Sequence, residues 1–152
     1  LRRAAVANHG RRRWDRSRAV LLLIACRGAH KSRRRSHTAV ARSTDHGKTF
    51  QPWQDAGFQG HPHYALRLPD RRVLLVYGYR HAPFGIRARV LDAECTNFAD
   101  AEEIVLRDDG GSGDLGYPWA AMISKKRALV VYYFNTSDGT RHIAGTVLEI
   151  DR

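Results

Sequence analysis

The chain has 152 residues, 43% of them hydrophobic, and its 26 Lys and Arg against 15 Asp and Glu give a formal net charge of +11. That length supports one hydrophobic core of ordinary domain size and leaves no room for two full-sized domains. The longest uninterrupted apolar run, Ala19 to Cys26, falls well short of the ~18–20 residues of a membrane-spanning helix, so no membrane partner is expected. The two cysteines, Cys26 and Cys95, are too few for a disulfide-dense miniprotein or a cysteine-based zinc module.

The positive charge is concentrated at the front. Residues 1–42 carry 13 Lys and Arg and a single acid, Asp15, whereas residues 43–152 carry 13 Lys and Arg against 14 acids. Residues 1–17 read as a basic, poorly ordered arm. Arg11-Arg12-Arg13 and Arg33-Arg34-Arg35 could neutralise phosphates, but no aromatic RNA-binding motif, zinc-finger spacing or heptad follows them, so nucleic acid is not the expected partner. Arg16 and Arg18 before an apolar run ending at Cys26 have the look of a lipoprotein signal. The same pattern recurs twice downstream, where no signal could sit, and it is read as a buried strand. A first residue of Leu rather than Met fits a piece of something longer.

That recurrence organises the chain. Arg18–Ile24, Arg72–Tyr77 and Arg127–Tyr132 share one grammar, and their leading arginines lie 54 and 55 residues apart. Gly60-His61-Pro62 and Gly116-Tyr117-Pro118 form a second matched pair, 56 apart. The apolar runs are short, rich in β-branched and aromatic residues and bounded by turn formers, which predicts strands. Each period adds further strands, His63–Leu68 and Gly85–Val90 in the second and Arg141–Val147 in the third. No amphipathic helix is predicted. Short antiparallel strands repeating at about 55 residues fit β-propeller blades of about four strands each, here over residues 18–55, 56–107 and 108–152.

The first unit ends in Ser43-Thr-Asp45-His-Gly47-Lys-Thr49-Phe50, a complete Asp-box: the Asp side chain can bond turn amides, Gly takes the positive-φ position and the aromatic is expected to dock between strands. It staples a hairpin and is not catalytic. A single carboxylate makes it a poor metal site. In the second unit the matching positions are Leu91, Ala93, Cys95, Asn97 and Phe98, of which the aromatic alone survives.

With the Asp-box, the period and the paired Gly-x-Pro elements, residues 18–150 resemble the sialidase (neuraminidase) superfamily of BNR-repeat glycoside hydrolases. The resemblance implies an all-β fold, a six-bladed propeller of which these would be the last three blades. It also implies an exo-glycosidase acting on terminal sialic acid or a related acidic sugar, with no cofactor or metal. The chemistry is coherent: the sugar's carboxylate calls for fixed arginine forks and would repel a carboxylate nucleophile, and sialidases use Tyr instead. By similarity to the family pattern, Tyr117 would be the nucleophile and Arg27 and Arg87 would bind the substrate carboxylate. The family's third arginine and acid/base Asp belong to early blades, and the Glu that should activate the Tyr lies upstream of Arg27, whereas the first Glu here is Glu94. The chain is therefore expected to be a fragment of an active enzyme or a degenerate relative. The alternative is a non-catalytic glycan-binding or scaffold propeller, because Asp-box propellers serve both roles.

Two other groups read as structural. His61, His63 and His81 lack a carboxylate or Cys at metal-ligand spacing and are expected to hydrogen-bond in the channel. Asp108-Asp109-Gly-Gly-Ser-Gly-Asp114 resembles a calcium loop in composition only, and is expected to connect blades at the channel mouth, where substrate contacts sit. Open blade edges are expected to favour self-association.

Overall fold

The computed structural model describes residues 20–27 and 36–151, with side chains from residue 37 onward. The arm at 1–17 and both arginine triplets lie outside the described residues. Every regular element among them is a strand: β1 (Val20–Arg27), β2 (Ser36–Ser43), β3 (Gln54–Asp55), β4 (His63–Arg67), β5 (Val73–Tyr79), β6 (Phe84–Leu91), β7 (Glu103–Gly110), β8 (Gly116–Met122), β9 (Arg127–Asn135) and β10 (Arg141–Glu149). They form three antiparallel sheets, ordered β1-β2-β3, β4-β5-β6-β7 and β10-β9-β8. The all-β expectation holds, and the three recurring apolar runs become β1, β5 and β9. Only the middle sheet has the four strands expected of each; the other two have three among the described residues.

The middle sheet is the heart of the structure because both of its faces are covered. β5, with sequence VLLVYGY, is buried along almost its whole length, so it reads as a continuous apolar run and not as an alternating one. Its period of two still sorts the side chains. Leu74 and Val76 join Ile86, Ala88, Leu115, Ala120, Val130, Tyr132 and Phe134 against the third sheet. Leu75 and Tyr77 face the other way and join Val40, Ala56, Phe58, Leu91 and Phe98 against the first sheet. Fully burying one such side chain stabilises the fold by about 1.5–3 kcal/mol.

The backbones of neighbouring sheets meet at one point through glycine. A Cβ on Gly78 would lie 2.8 Å from the carbonyl oxygen of His61 and 3.0 Å from the Cα of Gly116, so any larger residue would push β8 off β5. The third sheet covers its other side with nothing described. Along that face Trp119, Val131, Ile143 and Val147 are exposed.

At the Asp-box the side chains behave as the sequence implied, with one exception. Asp45 Oδ1 accepts from the amides of Lys48 (3.1 Å) and Thr49 (2.9 Å), and its Oδ2 accepts from the Thr49 hydroxyl at 2.6 Å. Ser43 Oγ accepts from the Gly47 amide at 2.8 Å, and Gly47 has φ 81°. These bonds, led by the Thr49 hydroxyl, hold the Asp45 carboxyl well below the usual carboxylate range. Phe50 does not dock as expected. It is 41% exposed and belongs to neither core, where Phe58 fills the space between the first two sheets.

The second turn retains an Asp that fixed spacing missed. Asp92 stands one residue before the position aligned with the box Asp, yet its Oδ2 accepts from the amide (3.0 Å) and hydroxyl (2.6 Å) of Thr96, the same i to i+4 bridge as Asp45 to Thr49. Here the aromatic, Phe98, is buried. The acidic stretch after Glu103 also differs from its reading as a loop: Asp108, Asp109 and Gly110 complete β7, and the connection to β8 is residues 111–115.

Candidate functional site

The antiparallel order sends the two kinds of connection to opposite ends of the sheets. The box turn after β2, the Asp92 turn after β6 and the tight turns after β4 and β8 share one end. Arg42 Nη1 donates to the Glu94 carbonyl at 2.8 Å and ties the two box turns together. The other end gathers residues 56–62, 80–83, 111–115 and 136–140. The connections stapled by Asp45 and Asp92, residues 44–53 and 92–102, are the longer ones, and those at the other end are shorter surface loops of the kind that can carry chemistry.

Tyr117 lies at this loop end, at the start of β8. Its backbone is in the left-handed region at φ 50°, after Gly116 at φ 116°, and the pairing of β8 with β9 slips between Gly116 and Trp119. A non-glycine residue there costs on the order of 1–3 kcal/mol, a strain that stored structure must offset. Tyr117 is 66% exposed. Beside it, Arg80 donates from Nε to the Leu115 carbonyl at 2.9 Å and holds its guanidinium carbon 5.2 Å from the Tyr117 ring centre. The two terminal nitrogens of Arg80 bond to none of the described residues.

Other polar groups lie toward the same end of the sheets. Asp114 Oδ2 accepts from the Tyr133 hydroxyl (3.1 Å) and from Arg141 Nε (3.4 Å), and the Asp114 carbonyl accepts from Asn135 Nδ2. Arg107 and Asp109 form a two-bond fork at 2.7 and 2.8 Å, with the guanidinium stacked 3.9 Å from the Phe134 ring centre. The fork lowers the pKa of Asp109.

Arg87 is placed differently from what its resemblance to a substrate-binding arginine implied. Paired with Tyr77 in register, it lies on the face of the middle sheet turned toward the first sheet and is 4% exposed. Its donors are taken up by the Arg107 carbonyl (2.6 Å), the Pro83 carbonyl (3.3 Å) and Glu103 (3.6 Å), and it lies over the Tyr79 ring at 4.9 Å. No bond or ring contact joins it to Tyr117, which belongs to the sheet packed on the opposite face. Arg27 ends β1, paired with Ser36 at the loop end of the first sheet; its side chain lies outside the description.

A second tyrosine, not singled out in the sequence, sits within that buried face. Tyr77 donates to Glu103 Oε2 at 2.7 Å and accepts from Arg89 Nε at 3.1 Å, and Arg89 lies over the Phe58 ring at 4.8 Å. Burial, followed by the bond to Glu103, raises the Tyr77 hydroxyl above its ordinary range, so this phenol is a structural donor. His63 packs beside it at 5.9 Å, with Nε2 3.2 Å from the hydroxyl of Thr38. Burial first, and the neighbouring His61 second, lower its pKa to about 4.

No protein-family model matches the chain, and neither does any curated protein. Among solved structures it is similar to the crystal structure of a protein of unknown function from Dyadobacter fermentans DSM 18053, at 58% identity and a TM-score of 0.80. The match covers 88% of this chain but 35% of that one, so the present chain spans about a third of its neighbour. The Dyadobacter protein supports the arrangement of sheets and brings no activity with it.

Proposed function

We propose that the three sheets are blades of a sialidase-like β-propeller, and that the loop end of the second and third sheets contributes to a site for terminal sialic acid or a related acidic sugar. The observation that carries this reading is the exposed Tyr117 held on strained backbone beside Arg80, whose terminal nitrogens bond to none of the described residues. An arginine with two free donors in a fixed plane accepts a carboxylate as a fork. In this reading Arg80 takes the role that the resemblance gave to Arg87, and Arg87 braces the loop from behind through Pro83 and Arg107. The exposed face of β8, β9 and β10 is covered by a further sheet in a longer protein, and an isolated chain self-associates through it.

Hydrolysis by such a protein proceeds through attack of the Tyr117 oxygen on the anomeric carbon, with a base to take the phenol proton and an acid to protonate the leaving oxygen. Among the described residues no carboxylate bonds to the Tyr117 hydroxyl, which favours a second reading in which this protein binds the glycan without cleaving it.

One experiment separates the two. The full-length parent protein is assayed on a fluorogenic sialoside and, in parallel, for binding of N-acetylneuraminic acid. Hydrolysis that Tyr117→Phe abolishes supports the glycosidase. Binding without hydrolysis, weakened by Arg80→Ala, supports the lectin-like reading. Neither activity overturns both.

A further inference from the structure

We propose that the open edge of β10 pairs with β10 of a second copy of this chain, antiparallel and about a two-fold axis, so that two third sheets join into one. The inference stands on the edge of the sheet and is independent of the acidic-sugar reading.

The last strand of each sheet in chain order leaves one edge unpaired among the described residues. A row of free N–H and C=O groups is a template for another strand, and proteins blunt such edges by shortness, charge or bulges. β3 has only two residues. β7 carries Glu103, Arg107, Asp108 and Asp109, and its pairing with β6 shifts register twice. β10 has neither protection. It runs nine residues, pairs with β9 at every one of them without a shift, contains no Pro and holds formal charge only at its two ends, Arg141 and Glu149.

The direction of the backbone groups restricts the register. Ile150 N donates to the Lys126 carbonyl at 2.7 Å and Thr136 N to the Thr140 carbonyl at 3.0 Å, so the even-numbered residues of β10 point their backbone groups at β9. The odd-numbered ones, Arg141, Ile143, Gly145, Val147 and Glu149, turn theirs to the open edge. Pairing two β10 strands along their whole length sets Gly145 opposite Gly145, which joins odd residues to odd and closes about ten interchain hydrogen bonds. In that register Ile143 of one copy meets Val147 of the other, and Arg141 meets Glu149. The strand is thus complementary to its own reverse, as an isologous two-fold contact requires.

Both charges are available for the contact. Glu149 is in no ion pair among the described residues, and Arg141 spends only Nε, on Asp114 at 3.4 Å. Edge pairing lies in the plane of the sheet, so it leaves the apolar face of β8, β9 and β10 to its covering sheet.

The test is sedimentation of the 152-residue chain over a concentration series. The wild-type chain should dimerise. Gly145→Pro removes an outward N–H that β9 does not use, and the added Cβ comes nearest the end of the Leu129 side chain, at 3.3 Å. It should weaken the dimer about tenfold or more, with the far-UV circular dichroism unchanged. Arg141→Glu and Glu149→Lys each oppose like charges across the axis and should each weaken it about tenfold, whereas the double variant should return to within about threefold of wild type. A monomeric wild-type chain overturns the proposal and leaves the edge to a strand of a longer protein. Association that Gly145→Pro leaves unchanged runs through the apolar face and also overturns it. A double variant as weak as either single one overturns the two-fold register. None of these results bears on the acidic-sugar site, which the sialoside and binding assays decide separately.

Discussion

Tyr77 and Tyr117 each stand beside an arginine, and the resemblance in composition hides opposite roles. Around Tyr77 every charge is answered: Glu103 accepts from the phenol, Arg89 donates to it, and Phe58 covers the guanidinium. Around Tyr117 the backbone is strained, the residue is exposed, and the two terminal nitrogens of Arg80 bond to none of the described residues. A buried polar group must be satisfied to be tolerated, and once satisfied it has nothing left to offer a ligand. A surface group is free of that demand, so unspent donors beside strained backbone mark the place where a ligand can supply the missing partner.

The comparison breaks most visibly at Tyr77. Tyr77→Ala removes a fully buried ring and strands Glu103 and Arg89, and should cost about 3–5 kcal/mol in urea unfolding. An effect below about 1 kcal/mol would mean that the two sheets are not packed through this ring.

His63 offers a pH test of the same region. Its folded pKa of about 4 lies below the ordinary 6.5, so the unfolded chain binds the extra proton first. Its contribution should be complete above about pH 6.5 and be lost as pH falls toward 4, roughly 2–3 kcal/mol over that window by thermal melts. His63→Gln should flatten the pH dependence.

Glu103→Ala should cost somewhat less, about 1.5–3 kcal/mol, because the carboxylate is a third exposed and water can partly replace it. The matching cut at the other tyrosine should be nearly silent. Tyr117→Gly relieves the left-handed backbone while adding freedom to the unfolded chain, so stability should change by at most about 1 kcal/mol, with acidic-sugar binding lost. A large destabilisation there would make Tyr117 a packing residue and remove the contrast with Tyr77.

Much of the architecture was legible because its determinants are local. Alternating or continuous apolar runs bounded by turn formers located β1, β4, β5, β6, β9 and β10, and the Asp-box carried its own hydrogen-bond pattern in eight consecutive residues. β7 escaped because it is an outer strand with acids at its end, so its composition matches a loop. Asp92 escaped because a one-residue shift defeats fixed-spacing comparison, although the bridge to Thr96 needs only the i to i+4 separation.

The sequence by itself determined the apolar strands and the Asp-box staple, since each depends on residues close together in the chain. Which arginine stands beside Tyr117 was decided by tertiary structure alone. Alternation puts Arg87 and Arg89 on one face of β6 but cannot say which sheet that face meets, and pairing with Tyr77 directs both toward the first sheet. Arg80 lies in a loop with no periodicity to read, and reaches Tyr117 only because Gly78 and Gly116 let β5 and β8 approach so closely that the Leu115 carbonyl comes within reach of its Nε.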